Sequence, residues 1–141
     1  MGLRCKPNPM NITLKEAEAI VAAAQKKAAE INTKMDICVV DSGANLVAFA
    51  RMDGAWIGSV DISIKKARTA AWFMMDTQDL SPLVQPGQSL YQIEQSNGGL
   101  ITFPGGVALK RDGEVIGAVG VSGSTVEDDH AVATAGAAAL G

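Results

Sequence analysis

One hairpin near the C-terminal end restricts the possible folds of this chain more than any other feature. The runs 106–111 and 114–121 are rich in apolar and β-branched residues, and Asp112-Gly113 lies between them. An Asp-Gly pair in that position is a strong signal for a two-residue hairpin turn, because both central residues of such a turn need a positive φ. The sequence therefore predicts an antiparallel pair of strands here.

Two glycine-rich turns flank this hairpin: Phe103-Pro104-Gly105-Gly106 and Ser122-Gly123-Ser124. In an antiparallel hairpin the start of one strand lies beside the end of the other, so we expect Gly105-Gly106 next to Ser122-Gly123. The second turn leads into a helix, whose free N-terminal amides attract a carboxylate or phosphate. The two turns are predicted to form one ligand site. The alternative is structural: Thr125 only caps the helix, and the first turn is a bulge that steers the next strand.

The rest of the chain alternates helical and strand patterns. Thr13 and Glu16 form a capping box at the start of a helix over 13–33. Strands follow at 37–41 and 45–51 around a glycine turn, and a further strand is expected at 100–103. A second helix is predicted over 58–75, and short helical turns are expected near 78–84 and 89–93. The buried stripe of that second helix is predicted to comprise Ile57, Val60, Ile64, Ala67, Ala71 and Met74, with Lys65, Lys66 and Arg68 mostly on its outer side.

This order, α-β-β-α-α-β-β-β-α, predicts an α+β fold in which helices pack on a five-stranded antiparallel sheet. The chain has 141 residues, close to the commonest size of one domain, so we expect a tail over 1–11 and a single domain over 12–141. Cys5 and Cys38 are not expected to pair.

Composition argues against several functions. The net charge of -3 provides no basic field for nucleic acid and no polybasic patch for a membrane surface. No run of about 18 apolar residues is present, and the start of the chain lacks the apolar core of a signal peptide. We therefore expect a cytoplasmic protein.

Few side chains suggest chemistry. Arg51 ends a strand, where it could hold a carboxylate in bidentate fashion or pair with Asp53 or Asp41. Glu127 and His130 have the spacing of half a di-iron helix pair, but the other half is missing, so no metal site is predicted. The acidic residues around them are interpreted as a solvent-exposed first helical turn.

Catalytic residues are not assigned. With one histidine, no G-x-S-x-G and no Cys-His partnership, nucleophilic catalysis is not expected, and an enzyme is less favoured than a binding protein. Acid-base chemistry by Asp41, Asp53 or Lys66 remains open, because their proximity in the fold is unknown at this stage.

The chain resembles the GlcG/HbpS family, and within it the C-terminal domain of PduO-type proteins. The segments that carry the resemblance span nearly the whole chain in the same order. They are 39–46 (VVDSGANL), 51–55 (RMDGA), 61–70 (DISIKKARTA), 84–91 (VQPGQSLY), 103–106 (FPGG) and 116–123 (IGAVGVSG).

The resemblance implies a profilin-like fold and symmetric homo-oligomers, from dimers to octamers, in the bacterial cytoplasm. It also implies operons for glycolate, glycerol or propanediol catabolism, and haem or a corrinoid as the group that some members bind. The adenosyltransferase activity of PduO-type proteins belongs to a separate N-terminal domain and is not transferred. PduO-like haem binders are expected to use a histidine of the N-terminal helical region, whereas 13–33 contains none here.

We therefore predict an oligomeric accessory protein of a bacterial catabolic pathway that binds a small molecule or tetrapyrrole. The alternatives are an enzyme acting on a small carboxylate or aldehyde, and an assembly partner of a catabolic enzyme. The predicted ligand-binding residues are Arg51, Asp53, Phe103, Pro104, Gly105, Gly106, Ser122, Gly123 and Ser124.

Overall fold

The structure of the chain, a computed structural model, describes residues 10–141. The predicted tail over 1–11 therefore lies outside the described residues except for its last two. Of these, Asn11 accepts a hydrogen bond from the Ser42 amide at 2.8 Å through its Oδ1 atom. The elements are α1 (Leu14–Glu30), β1 (Asp36–Asp41), β2 (Leu46–Arg51), α2 (Gly58–Phe73), α3 (Thr77–Leu80), β3 (Gly106–Arg111), β4 (Glu114–Ser122) and α4 (Val126–Ala137).

The four strands form one antiparallel sheet in the order β2-β1-β4-β3. The hairpins β1–β2 and β3–β4 are joined by the pairing of β1 with β4, in which Val39 lies opposite Val119. The α+β fold with helices on an antiparallel sheet is confirmed, and the positive φ angles of Asp112 and Gly113 agree with the predicted hairpin turn.

The predicted fifth strand is wrong, because 100–103 pairs with no strand in the described part of the chain. The Leu100 amide donates to the Glu94 carbonyl at 2.9 Å, and the Ile101 amide donates to Thr69 Oγ1 at 3.4 Å. These bonds attach the segment to the preceding turn and to α2, so the amides that a strand would offer a neighbour are already used.

The helices lie on both faces of the sheet. Helix α1 begins at the predicted capping box, with the Glu16 amide donating to Thr13 Oγ1 at 3.1 Å, and it packs with α4 over one face. The main core there includes Ile20, Ile37 and Val119. Helix α2 covers the opposite face, where Cys38, Val40 and several alanines form a smaller core.

The face of α2 that packs on the sheet differs from the predicted stripe. Ile57 and Met74 are 77% and 66% exposed, whereas the residues that α2 buries are mostly small or polar. A Cβ atom added to Gly120 would lie 2.1 Å from the Ser63 carbonyl oxygen, so the helix backbone rests almost directly on β4. Only small side chains fit at this distance. Ala67 and Ala71 of the predicted stripe are buried and Ile64 is partly buried against the smaller core, so the prediction is wrong for Ile57 and Met74. The buried residues of α2 are Ser59, Ser63, Lys66, Ala67, Thr69, Ala70 and Ala71.

A long connection, residues 74–105, leads from α2 to β3. It contains α3 and two 3₁₀ turns, Ser81–Val84 and Ile93–Gln95, close to the predicted helical turns. Many of its backbone hydrogen bonds are local, as in the bond from the Leu90 amide to the Leu83 carbonyl. Thr77 anchors it to β3, because its Oγ1 accepts a hydrogen bond from the Gly106 amide at 2.9 Å.

Candidate functional site

The two glycine-rich turns meet at one end of the β3–β4 hairpin. Gly106 lies opposite Gly120, and the Val121 amide donates to the Gly105 carbonyl at 2.9 Å. The expected contact with the second turn is therefore found one residue earlier on β4, at Val121 rather than Ser122. Proximity of the two turns follows from the hairpin register alone.

A fully buried lysine lies between the turns. The Lys66 ammonium donates to the Val121 carbonyl and to Asp129 Oδ2, both at 2.9 Å. It also lies 4.8 Å from the centre of the Phe103 ring, within range of a cation–π interaction. The prediction that Lys66 lies on the outer side of its helix is therefore wrong.

Asp129 joins this lysine to the second turn. Its side chain is buried, and its Oδ1 atom accepts a hydrogen bond from the Ser124 amide at 3.0 Å. The interpretation of a wholly solvent-exposed acidic first turn is wrong for Asp129. Thr125 caps the helix, as the structural alternative expected, since its Oγ1 accepts from the Asp128 amide at 3.1 Å. The chain's own carboxylates thus occupy part of the helix N-terminus that was expected to attract a ligand.

Burial acts on both charges of the pair. It lowers the pKa of Lys66 and raises the pKa of Asp129, and in each case the partner's charge opposes the shift. Hydrogen bonds from the Gly123 and Ser124 amides also favour the carboxylate of Asp129. The pair can order the surrounding backbone through its hydrogen bonds. Because Lys66 has no exposed surface, a substrate cannot reach its ammonium in this conformation.

Glycine is required by packing in both turns. Gly105 has φ 132°, and a Cβ atom there would lie 2.5 Å from Lys66 Nζ and 2.6 Å from the Val121 carbonyl oxygen. A Cβ on Gly123 would lie 2.3 Å from the Lys34 carbonyl oxygen. A side chain at Gly105 or Gly123 would therefore displace its neighbours.

An open cleft of about 500 Å³ lies beside the second turn. Its walls come from the loops after α1, after β2 and after β4. Trp56 is the prominent apolar group in these walls and is 66% exposed. The lining residues are Asn32, Thr33, Lys34, Gly54, Trp56, Gly123, Ser124 and Thr125.

The predicted ligand residues divide into three groups: those of the cleft wall, those exposed beside it, and those of the turn over Lys66. Gly123 and Ser124 line the cleft, and Ser122 is buried behind them, with its hydroxyl donating to Ser59 Oγ at 3.0 Å. Arg51 and Asp53 are exposed beside the Gly54 wall but do not line the cleft in the described structure. The four remaining predicted residues, Phe103, Pro104, Gly105 and Gly106, belong to the turn over Lys66.

A second buried carboxyl lies at the same end of the sheet. Asp36 is fully buried, opposite Arg51 on β2 and Ser122 on β4. Neither of its carboxyl oxygens has a hydrogen-bond partner within residues 10–141. Burial raises the pKa of Asp36, and the charge of Arg51 partly opposes that rise.

Other groups with chemical potential are isolated. Between residues 10 and 141 no cluster of three or more His, Cys, Asp or Glu side chains is arranged to hold a metal ion. His130 has a buried Nδ1 atom without a partner in that range. Burial raises the pKa of the Cys38 thiol to about 12, so this thiol stays protonated. None of the helices that the structure describes has the length and apolarity to cross a membrane.

The sequence carried a signal for Lys66 that the prediction missed. Lys66 follows Ser63 by three positions and precedes Ala70 by four, so it belongs to the stripe of small residues that faces the sheet. Trp56, Lys34 and Asn32 carried no such signal. They come from separate loops, and only the tertiary fold brings them into one cleft.

Comparison with known proteins assigns the chain to a family. A family model described as "Haem degrading protein HbpS-like" matches residues 12–138. The chain therefore belongs to the HbpS-like family, and the resemblance predicted from its motifs is confirmed.

Three relatives are informative. An uncharacterized 15.0 kDa protein from the dhaT-dhaS intergenic region of Citrobacter freundii is 44% identical over 123 residues, which are 86% of this chain and 87% of that protein. The crystal structure of Klebsiella pneumoniae protein ORFY has a TM-score of 0.90 at 41% identity and covers 99% of this chain and 97% of its own. The crystal structure of a PduOC:heme complex has a TM-score of 0.87 at 35% identity and covers 92% and 94%.

Proposed function

We propose that this protein binds a tetrapyrrole, haem or a corrinoid, in the cleft beside the Ser122–Ser124 turn. The observation that carries the proposal is the presence of an exposed tryptophan in an open cleft of about 500 Å³. The solved haem complex of PduOC, at 35% identity over nearly the whole chain, supports the choice of ligand class.

The cleft suits a flat ligand. Its volume lies within the range of about 300–1,000 Å³ that is usual for small-molecule sites. Trp56 offers one face of a large aromatic ring for stacking. Gly54, in the same loop as Trp56, has no side chain, so a planar ring can approach its backbone closely.

The polar groups of the cleft suit carboxylate or amide substituents at the ring edge. The Lys34 ammonium can pair with a carboxylate, and the Thr125 hydroxyl, which accepts from the Asp128 amide, keeps its own proton to donate to either substituent. The hydroxyls of Thr33 and Ser124 already donate to the Ala28 carbonyl and to Asp128 Oδ2, so they can only accept from an amide. Arg51 and Asp53, which are exposed next to the cleft, are proposed to meet the parts of the ligand that project beyond it. The buried Ser122 supports this wall from behind.

The cleft fits the ring better than it fits a metal ion. Its walls contain no histidine, cysteine, methionine or tyrosine, and helix α1 contains no histidine. The cleft residues therefore hold a tetrapyrrole by stacking and charge and do not coordinate its metal ion.

The proposed setting of the protein is an oligomer that serves a catabolic pathway. It acts as a homo-oligomer in the cytoplasm, as an accessory protein of a bacterial catabolic pathway of the glycolate, glycerol or propanediol type. Exposed apolar side chains outside the cleft, including Ile57 and Met74, support self-association, because burying them against another copy removes apolar surface from water. A net charge of -3 agrees with a small-molecule ligand rather than nucleic acid.

Spectroscopic titration tests this function. The native protein is titrated with haem and, separately, with cobalamin, and the ligand absorption bands and tryptophan fluorescence are followed. We expect saturable changes with at least one ligand, and we expect Trp56→Ala to weaken that binding about fivefold or more, since it removes a stacking surface worth at least about 1 kcal/mol. Trp72→Ala is the matched control, because Trp72 is 39% exposed and lies outside the cleft. Absence of spectral change with both ligands would overturn the proposal.

A further inference from the structure

We propose that Lys66 and Asp129 are positioning residues for the cleft, which hold the Ser122–Ser124 wall in its ligand-binding shape and connect it to the Phe103–Gly106 turn. The proposal deepens the function proposed above and rests on it. It concerns residues that lie behind the wall and need not touch the ligand.

A continuous series of contacts runs from one turn to the other. The Phe103 ring lies over the Lys66 ammonium, which binds Asp129 Oδ2 at 2.9 Å. The other carboxylate oxygen, Oδ1, accepts the hydrogen bond of the Ser124 amide at 3.0 Å. Lys66 also binds the Val121 carbonyl, just before the wall begins. Both ends of the short wall are thus attached to one buried ion pair.

Ser122 is ordered by its pairing with Asp36 and its bond to Ser59, but beyond β4 the wall contains little that could order it by itself. Gly123 has φ 153° and no side chain, and it lies against the backbone of Lys34 on the neighbouring cleft wall. Ser124 contributes a hydroxyl that bonds to Asp128 at 2.7 Å and an amide that bonds to Asp129. Loss of the Asp129 acceptor would leave the Ser124 amide without its protein partner and allow the wall to shift toward or away from Lys34.

Stability alone is a weak reason for this ion pair. The cost of removing two charges from water often cancels their attraction, so a buried pair can commonly be replaced by apolar side chains without loss of stability. What apolar side chains cannot supply is an oxygen that faces the Ser124 amide. The specific contribution of Asp129 is therefore an oriented acceptor, and that of Lys66 is the charge that holds it in place.

Two neutral double variants separate orientation from charge. Lys66→Met with Asp129→Asn removes both charges but keeps an oxygen that can accept from Ser124. Lys66→Met with Asp129→Leu removes both charges and the acceptor. With haem as the probe, we expect the Leu variant to bind about tenfold more weakly than the Asn variant, the effect of one lost oriented hydrogen bond. Equal affinity of the two variants for haem would overturn the proposal.

Amide hydrogen exchange tests the same idea without a ligand. In the native chain the Ser124 amide should exchange far more slowly than an exposed loop amide such as that of Gly98, and in the Leu variant it should exchange about tenfold faster than in the Asn variant. Fast exchange of Ser124 in the native chain would overturn the proposal even if the Leu variant did not fold. If the native chain binds neither haem nor cobalamin, the proposed function fails, whereas the exchange result still decides whether the pair positions the wall.

Discussion

Asp36 and Asp129 are both buried near the end of β4, yet their surroundings are opposite. Asp36 lies opposite Ser122 and has no hydrogen-bond partner among the residues that the structure describes. Asp129, which reaches Ser124 two residues further on, binds an ammonium and a backbone amide. Neither residue is more than 2% exposed, so solvent exposure does not distinguish them.

The difference shows that a buried carboxyl can position nearby backbone only when it has hydrogen-bond partners. Asp129 is held by the Lys66 ammonium and in turn fixes the Ser124 amide of the Ser122–Ser124 wall. Arg51 offsets part of the cost of burying Asp36, but no donor among residues 10–141 meets the carboxyl oxygens. Three variants test this contrast, beginning with the one that should have the largest effect.

Lys66→Ala should leave Asp129, like Asp36, as a buried carboxyl without an ion-pair partner among the described residues. Removing the ammonium leaves a buried carboxylate without its counter-charge, which typically costs about 3–5 kcal/mol in the free energy of unfolding. Urea denaturation measures this loss.

The matched control is Lys65→Ala on the same helix. Lys65 is partly exposed and pairs with Asp61 at 3.0 Å, one turn earlier, an arrangement worth only about 0.3–0.5 kcal/mol. Equal effects of the two substitutions would show that the buried pair has no special role.

Asp36→Asn should have the opposite sign and stabilise the protein at neutral pH. An unsatisfied buried polar group costs about 1–3 kcal/mol, and more when it is charged, so removal of the ionisable group relieves part of this cost. Because the pKa of Asp36 is raised in the folded state, the native chain loses stability as the pH rises from the ordinary aspartate range through that raised value. The advantage of the Asn variant should therefore be full at neutral pH and decrease on acidification.

Thermal unfolding of both proteins at several pH values measures this dependence. Asp53→Asn, which changes an exposed carboxyl, serves as the control. If Asp36→Asn destabilises the protein at neutral pH, then Asp36 has a favourable partner in solution and the contrast with Asp129 is wrong.

Phe103→Leu should have the smallest effect. The ring is 37% exposed, and a cation–π interaction at a partly exposed position contributes about 0.5–1 kcal/mol. Leucine keeps an apolar cover over Lys66, so the unfolding free energy should fall by no more than about that amount. A loss as large as that of Lys66→Ala would show that the ring, rather than Asp129, is the principal partner of the ammonium.

Local features of the fold could be predicted well. The Thr13–Glu16 capping box and the Asp112-Gly113 turn depend on residues within a few positions of one another, and both formed as expected. The antiparallel pairing of β3 with β4 follows from that turn, and so does the proximity of the two glycine-rich turns.

Features that depend on distant partners could not be predicted in the same way. The predicted stripe of α2 correctly included Ala67 and Ala71 but also the exposed Ile57 and Met74. The glycines of β3 and β4 admit the helix so closely that small residues face the sheet. The segment 100–103 has a composition typical of a strand, yet Glu94 and Thr69 take the hydrogen bonds of its amides. Hydrophobic periodicity alone reveals neither the close approach of α2 to the strand glycines nor the hydrogen bonds that hold 100–103 away from the sheet.

The sequence by itself therefore determined the hairpins, the helices and the meeting of the two glycine-rich turns, since short-range geometry controls all of these. Only the tertiary structure decided what lies between and beside the turns. It placed Lys66 of α2 against Asp129 of α4 across 63 positions of sequence, and it brought Lys34, Trp56 and Ser124 into one cleft. The physical reason is that burial and partnership of a charge depend on where separate elements pack, which no local pattern of residues specifies.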